Sequence, residues 1–366
     1  MNTSLRRPLA TTAVLAIAAT ALTACSSAEA EEPADTAEGL TPLSLTLSWV
    51  TQAEYAGFYV ADKKGYYEEE GIDIEIRPGG PDVSPFQLLA AGQTDIALGG
   101  YGQQLAAVEA GADLVTIAPA FERGAGRLVY FADRPELADP ANWAGTKVSL
   151  WGGWQATFAA TASKYDVDLA DIEISNQSFD MTNFCQEGVD LADAMVYNEW
   201  AQAIAGCGGR ELALIDYNEL GTAVMEQNLV VDGAWLEENP ELVEGFLRAS
   251  MRGWLDVRDD PQLGVDTTLE LGPALPEKFQ TWQMNEINKL IWPSSAGLFT
   301  VPEEEWDRNE DLLVQFEVIA GKPVREDVVD MSFRDKVAAE LEAEGADLIG
   351  ADFEPMVIDP YTYFQD

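Results

Sequence analysis

The sequence contains no histidine. That absence removes every catalytic arrangement in which an imidazole activates a serine or a cysteine, and every metal site built on imidazole ligands. Positive charge is scarce as well: 21 lysines and arginines stand against 64 aspartates and glutamates, a formal net charge of −43. So acidic a chain repels phosphate backbones, which excludes nucleic acid as a partner. The acids are scattered, and they read as a solvated surface suited to solubility or to salty surroundings. Arg123, Arg127 and Arg134 form the one notable cluster of bases and are expected at the surface. Only three cysteines occur. Beyond Leu22 there is no further long apolar run, so the body of the chain offers no candidate membrane-spanning helix.

What is present begins at the N-terminus. Arg6 and Arg7 precede an uncharged apolar stretch from Leu9 to Leu22, closed by Thr23, Ala24 and Cys25. This is the pattern of an export signal, with an apolar region too short to span a bilayer comfortably. Leu22-Thr23-Ala24-Cys25 resembles the bacterial lipobox, whose cysteine is acylated and becomes the mature N-terminus. The expectation is a signal peptide over residues 1–24, a lipid on Cys25 and an extracytoplasmic, membrane-anchored protein. Residues 25–41 are acidic and small, cannot bury a core, and read as a flexible tether. With Cys25 assigned to lipid, Cys185 and Cys207 remain as an even pair in an oxidising compartment. A disulfide between them is expected; two buried thiols are the alternative, because spacing alone does not fix distance.

The remaining length suffices for two lobes with substantial cores. Short apolar runs alternate with longer helical patterns, the signature of an α/β fold with largely parallel sheets. Strands are expected near 43–47, 72–76, 96–98, 115–119 and 128–131, then near 147–150, 172–175, 193–196 and 212–215. A helix over 55–70 should stop at Gly71, which can take the left-handed conformation. Helices are also expected near 155–165 and 198–205. After Val231 the pattern turns helical, with runs at 240–259, 277–291, 302–319 and 333–344. The layout predicted is a first lobe over 42–134, a second over 135–218, and a return to the first lobe with C-terminal helices over 219–366.

Ligands of two-lobed α/β proteins sit between the lobes, at the carboxyl ends of the parallel strands. Those ends are aromatic here: Trp49, Tyr101, Trp151, Trp154, Tyr197 and Trp200 each follow an expected strand. One such residue is usually core or rim, whereas six in equivalent places suggest stacking platforms for a flat ring, at least three of them lining a cleft. Gly152-Gly153 before a helix is a weak anion-binding signal, and the flanking tryptophans favour a ring over a phosphate. Asp166, Asp168, Asp171 and Glu173 lack the glycine and spacing of a calcium loop and read as a solvated connection.

The stretch from Leu43 to Gly102 also carries a resemblance. Leu47-Ser48-Trp49, Ala56-Gly57-Phe58-Tyr59-Val60-Ala61, Lys64-Gly65-Tyr66-Tyr67, Glu70-Gly71-Ile72-Asp73, Pro78-Gly79-Gly80-Pro81-Asp82 and Ala91-Gly92-Gln93-Thr94-Asp95 resemble solute-binding proteins for thiamine-precursor pyrimidines. That family also includes riboflavin-binding and sulfonate-binding relatives and the fungal enzyme that makes the thiamine pyrimidine. The likeness thins to scattered features through Asn239-Pro240-Glu241. It implies a type II periplasmic-binding fold, in which each lobe is a mostly parallel sheet flanked by helices and the C-terminal helices pack mainly on the first lobe.

It also implies delivery of a small ligand to an ABC permease. The fungal enzymes carry a histidine six residues after the tryptophan that ends the first strand, and a cysteine-rich iron-binding segment before the strand that returns to the first lobe. Here Tyr55 stands at the first place, and 221–231 holds no cysteine. Both departures argue against an enzyme. In pyrimidine-binding relatives a carboxylate and aromatics after a second-lobe strand hold the ring, which points to Tyr197, Asn198, Glu199 and Trp200. The bland reading of Glu199 is an acid favoured by a helix N-terminus. Gln52, Glu54 and Tyr55 are further candidates at the first-lobe edge.

The function expected is capture of a small flat heteroaromatic compound, a thiamine-precursor pyrimidine such as hydroxymethylpyrimidine or formylaminopyrimidine, by a monomer that uses neither cofactor nor metal. A riboflavin- or sulfonate-type importer protein, or a lipid-anchored sensor or adhesion module, is the alternative.

Overall fold

The computed structural model of the protein describes residues 39–152 and 155–364. The signal peptide, Cys25, most of the tether and Trp154 lie outside the described residues.

Among the described residues, ten strands form two five-stranded sheets. β1 (Thr41–Thr46), β2 (Ile72–Arg77), β3 (Ile96–Gly99), β4 (Leu114–Pro119) and β10 (Asn228–Asp232) make the first, in the order β2-β1-β3-β10-β4. β5 (Gly126–Phe131), β6 (Lys147–Leu150), β7 (Glu173–Asn176), β8 (Leu191–Met195) and β9 (Leu212–Asp216) make the second, in the order β7-β6-β8-β5-β9. The two orders are the same pattern. In each sheet one strand runs against the rest: β10 is antiparallel to β3 and β4, and β5 to β8 and β9, whereas β1–β2, β1–β3, β6–β7 and β6–β8 are parallel. Each reversed strand is the one the chain enters on crossing between sheets, along 120–125 outward and 217–227 back.

This corrects one expectation. The strand near Leu128–Phe131 was assigned to the first lobe, but β5 pairs with β8 and β9, so the first crossing precedes it. Sequence pattern alone gives a strand's existence and not its partners, and Leu128 and Val129 are equally apolar on either side. The expected helix over 55–70 is also divided. Helix Ala56–Lys63 ends, Gly65 takes φ +74°, and a single turn Tyr66–Glu69 follows before Gly71 at φ +76°.

The largest hydrophobic core lies on the first sheet. It joins Leu43 and Leu45 of β1, and Leu47 just past it, to Phe58 and Val60 and to the C-terminal helices, through Phe246, Trp254, Met284 and Ile287. The Ala56–Lys63 and Pro240–Asp259 helices meet at glycines: a Cβ on Gly253 would lie 2.1 Å from the Gly57 carbonyl oxygen, and one on Gly57 2.2 Å from the Trp254 ring. Only glycine permits that approach. The fully buried Trp254 then packs edge-on against Phe58 and against Phe121, which opens the outward crossing.

Of the bases expected at the surface, Arg123 is partly exposed and Arg127 is largely buried, and both are engaged. Arg123 donates to the carbonyls of Lys289, Leu290 and Pro293, and Arg127 to those of Gly124 and Gly126 while pairing with Asp216 at 3.0 Å. Both fasten the crossing. Arg134 stays at the surface, paired with Glu136 and Asp190.

In the second lobe Cys185 and Cys207 are bonded, with Cα atoms 4.7 Å apart and a separation of 22 positions in sequence. Closing a loop of that length stabilises a fold by about 3 kcal/mol. Urea unfolding with and without reductant is expected to differ by that amount; coincident curves would count against any stabilising role for the bond.

Candidate functional site

β1 ends at Thr46, and the chain then turns through Leu47, Ser48 and Trp49 toward the second lobe. Gly79 sets this turn: its N–H donates to the Trp49 carbonyl at 2.8 Å, and a Cβ there would strike the Leu47 carbonyl at 2.2 Å. The Trp49 ring meets two rings of the second lobe. Trp151, just past β6, lies edge-on at 5.9 Å, and Phe179, three residues past β7, stacks at 6.0 Å and 18°. Phe179 is 60% exposed, unusual for a phenylalanine. Three rings from two sheets thus face one another at strand carboxyl ends, as stacking platforms would.

Ser48, next to Trp49 in the chain, joins a buried polar network centred on Glu54. Its Oε1 accepts from the Tyr197 hydroxyl at 2.9 Å and from Gln227 Nε2 at 2.7 Å, and its Oε2 accepts from Gln52 Nε2 at 2.6 Å. Glu54 belongs to the first lobe, Tyr197 to the second and Gln227 to the return crossing. One carboxylate therefore ties all three. Gln227 also accepts from Ser48, whose hydroxyl bonds to that of Tyr55 at 2.7 Å. The Glu277–Ile291 helix supports both walls: Gln280 accepts from the Ala53 N–H, Gln283 donates to Gln52, and the Trp282 indole donates to the Val196 carbonyl.

Glu199 opens the Glu199–Gly206 helix and is buried. Its Oε2 accepts from the Met195 N–H at 2.9 Å, its Oε1 from Asn198 Nδ2 at 3.0 Å, and the Trp151 side chain bonds to it as well. Asp193, on β8, accepts from the Trp151 N–H at 2.7 Å. At the return crossing Glu226 Oε1 accepts from the N–H groups of Ala125 and Gly126, lacing the two crossings together.

Burial decides the electrostatics of these acids. It pushes Glu54 up to about 7 against the lowering effect of its hydrogen bonds, and does the same to Glu199 and to Glu226. Asp193 is held well above the usual carboxylate range by the same cause. Tyr55, Tyr197 and Tyr217 are raised by burial and, further, by neighbouring carboxyl groups, so their hydroxyls stay neutral. Among the described residues no group of acids and cysteines is arranged to hold a metal.

The expected site residues separate into two sets. Trp49, Gln52, Glu54, Tyr55, Trp151, Tyr197, Asn198 and Glu199 come together where the lobes meet. Tyr101 does not: it is fully buried under the Glu303–Gln315 helix, 5.1 Å from the Trp306 ring, its hydroxyl donating to Glu310. It opens a helix directly after β3, and its ring joins a separate small core with Leu105, Trp306 and Leu313. Trp200 is likewise part of the second lobe's core, with Phe131, Phe184 and Trp282, because the Glu199–Gly206 helix points its second residue inward. Sequence reasoning missed Phe179, Gln227, Glu226, Gln280 and Gln283. Phe179 follows a strand end as the other aromatics do and was within reach of that rule. The glutamines sit in a crossing and a helix far away in sequence, and nothing local marks them.

Three kinds of comparison bear on the chain. Residues 52–263 match the model of the family described as NMT1/THI5 like. The chain is 25% identical over 309 residues to the riboflavin-binding protein RibY of Chloroflexus aurantiacus, covering 79% of this chain and 85% of that one. It is 22% identical over 242 residues to the formylaminopyrimidine-binding protein of Halalkalibacterium halodurans, covering 62% and 70%. A third relative, at 22% over 271 residues and covering 70% and 76%, is the 4-amino-5-hydroxymethyl-2-methylpyrimidine phosphate synthase of Aspergillus parasiticus. Among solved structures, a putative periplasmic sulfonate-binding protein SsuA of Methylobacillus flagellatus superposes with a TM-score of 0.62 at 15% identity, covering 88% of this chain and 99% of that one. At that identity the likeness establishes the fold, a two-lobed periplasmic-binding arrangement.

Proposed function

The chain belongs to the NMT1/THI5-like family, and from that premise we propose that it is the extracytoplasmic binding protein of an ABC importer, anchored through lipid on Cys25, which captures a thiamine-precursor pyrimidine between its lobes. The observation that carries this reading is the meeting of Trp49 with Trp151 and Phe179 across the lobes, directly beside the buried Glu199 carboxyl. Rings above and below a flat heterocycle exclude water, and a desolvated carboxyl then forms strong paired hydrogen bonds with an amino group and a ring nitrogen. Tyr197 and Asn198 would complete the second-lobe wall, Gln52 and Tyr55 the first. The ligand bridges the lobes, shifts the equilibrium toward the closed form and presents that form to a permease. No bond is made or broken. Tyr55 stands where the fungal enzymes have histidine and is held by Ser48, and the reading as a binding protein rests on that departure as well as on the missing cysteines.

A tricyclic flavin is the second reading, favoured by one observation: Trp49 has two aromatic neighbours, not one, which lengthens the available stacking surface. Thermal unfolding of the purified protein with hydroxymethylpyrimidine, formylaminopyrimidine, riboflavin and an aliphatic sulfonate separates the readings, because a ligand confined to the native state raises its melting temperature. A shift with a pyrimidine supports the first reading and a shift with riboflavin alone the second. No shift with any ring would refute both. Glu199→Gln is expected to weaken the pyrimidine by about 2 to 3 kcal/mol, on the order of 50-fold, by removing a charged acceptor. Unchanged affinity in a variant that melts normally would strip Glu199 of its role.

A further inference from the structure

The last residues do not stay on the first lobe. After the Ser332–Ala343 helix the chain is anchored there: Leu348 is buried in the first-lobe core, the Ile349 carbonyl accepts from the Ser294 N–H at 2.8 Å, and Phe353 packs on the same core. It then follows the Glu277–Ile291 helix, where Asn285 holds Met356 from both sides, accepting from its N–H at 2.8 Å and donating to its carbonyl at 3.3 Å. The next side chain, Val357, is fully exposed. Beyond it Ile358, Tyr361, Tyr363 and Phe364 pack on the second lobe's core, the cluster that holds Phe131 and Leu212. A segment anchored at each end on a different lobe, with an exposed residue between, is a bridge between them in addition to the two crossings.

Its grip on the second lobe is specific. The Tyr361 hydroxyl accepts from the Leu212 N–H at 2.7 Å and donates to the Leu212 carbonyl at 3.1 Å. Leu212 opens β9, an edge strand, and the Ala132 N–H already pairs with the carbonyl of the residue before it, so both backbone groups of Leu212 point away from β5. One hydroxyl thus takes the place that a further strand would fill. Asp359 caps the turn Pro360–Tyr363 by accepting from the Tyr361 N–H at 3.2 Å, and Pro360 fixes the backbone at its start, which leaves little slack between Met356 and Tyr361. Phe364 lies edge-on to Trp282 at 5.8 Å. The Trp282 indole in turn holds the Val196 carbonyl, next to the Tyr197 that reaches Glu54.

The point of attachment also gives leverage. Leu212 and Asp216 are the two ends of β9, about 13 Å apart at the usual rise per residue, and Asp216 is the end paired with Arg127 beside the crossing. Turning the second lobe by about 15° at the crossings would displace Leu212 by about 3 Å, more than a hydrogen bond can follow. We propose that residues 348–364 form a strap that restrains the lobes from parting, with Tyr361 as the positioning residue that fastens it and lets go when they open. The restraint acts on the lobes whatever lies between them, and so goes beyond the choice of ligand. Free energy that favours the closed form appears as affinity, because a ligand then has less of the equilibrium left to shift.

Spin labels on Asp82→Cys and Asn176→Cys would report the separation. Both residues are exposed, one just past the edge strand β2 of the first lobe and the other at the end of the edge strand β7 of the second. Cys25→Ser in the full chain leaves these as the reactive thiols, since Cys185 and Cys207 are bonded. In the unliganded protein, pulsed electron resonance is expected to show the long-distance population rising about fivefold on Tyr361→Phe, equivalent to one ordinary hydrogen bond, and further in a chain stopped after Asp359. Val148→Ala, in the second lobe's other core, lowers stability at a place away from the strap and should leave the distances unchanged. Unchanged distances in both strap variants, or an equal opening in Val148→Ala, would overturn the proposal. Opening in the shortened chain alone would overturn the role given to Tyr361. No ligand enters the measurement, so a protein that binds no heterocycle leaves the strap standing, and an idle strap leaves the binding reading standing.

Discussion

Between about pH 5 and about pH 7 the unliganded protein is expected to lose on the order of 4 kcal/mol of stability, the reverse of the usual behaviour of carboxylates. Glu54, Glu199 and Glu226 each have a native pKa of about 7 against an ordinary value of 4.5. Between those values the native state holds protons that the unfolded chain has given up, so stability is highest below about 4.5, declines as pH rises through 7, and is level above it. One group shifted so far contributes roughly 2 to 3 kcal/mol, and mutual coupling keeps the total below the simple sum. General repulsion among the surface acids works in the same direction, which is why the comparison must be with the triple variant Glu54→Gln, Glu199→Gln, Glu226→Gln. Urea unfolding across this range should give a distinctly shallower slope for the variant. Parallel slopes would show that the three acids are ordinary ones.

Trp254→Ala is expected to cost about 4 kcal/mol, near the upper range for deleting a buried aromatic. Its ring is fully buried, contacts Phe58 and Phe121 edge-on, and fills the space that the absent side chain of Gly57 leaves. The surroundings have little freedom to collapse, because Gly253 already brings the two helix backbones as close as they can come. Equilibrium unfolding in urea measures the loss. A value below about 1 kcal/mol would mean that the cavity closes and that the glycine contact is not the rigid joint inferred from its distances. Phe121 opens the outward crossing, so weaker ligand binding in the same variant, beyond the stability loss, would be a second sign of that joint.

Much of the fold was legible because its strands announce themselves locally. Leu43-Ser44-Leu45, Ile72-Asp73-Ile74 and Leu212-Ala213-Leu214 alternate or run apolar between turn residues, and β1, β2 and β9 lie there. β10 was not read from pattern: Leu229-Val230-Val231 is a short run between Asn228 and Asp232, and it becomes a strand by pairing on both sides with β3 and β4. Pairing is also why β5 was placed in the wrong lobe. The candidate site was legible where a ring or an acid coincides with a strand end and the fold brings it to the lobe junction, as at Trp49, Trp151 and Glu199. Tyr101 and Trp200 obey the same positional rule and yet face cores, since a strand end fixes where a side chain starts and not which way the next helix turns it. The glutamines that complete the Glu54 network come from residues 227 to 283, and only folding brings them to residue 54.

The exchange of strands between the sheets dictates an order of assembly. All five strands of the second sheet lie within one unbroken stretch, from Gly126 to Asp216, so that sheet can be completed from consecutive chain. The first sheet cannot. β3 and β4 never pair with each other; β10 lies between them, and it is made more than a hundred residues after β4. A chain emerging N-terminus first therefore carries three paired strands and a separate β4, with a gap between β3 and β4 until residue 232 has followed. Pulse-labelling hydrogen exchange during refolding should find β6 and β8 protected before β3 and β4. A nascent protein held in that interval exposes two unfilled strand edges, which makes the arrival of β10 the step that ends its risk of aggregation.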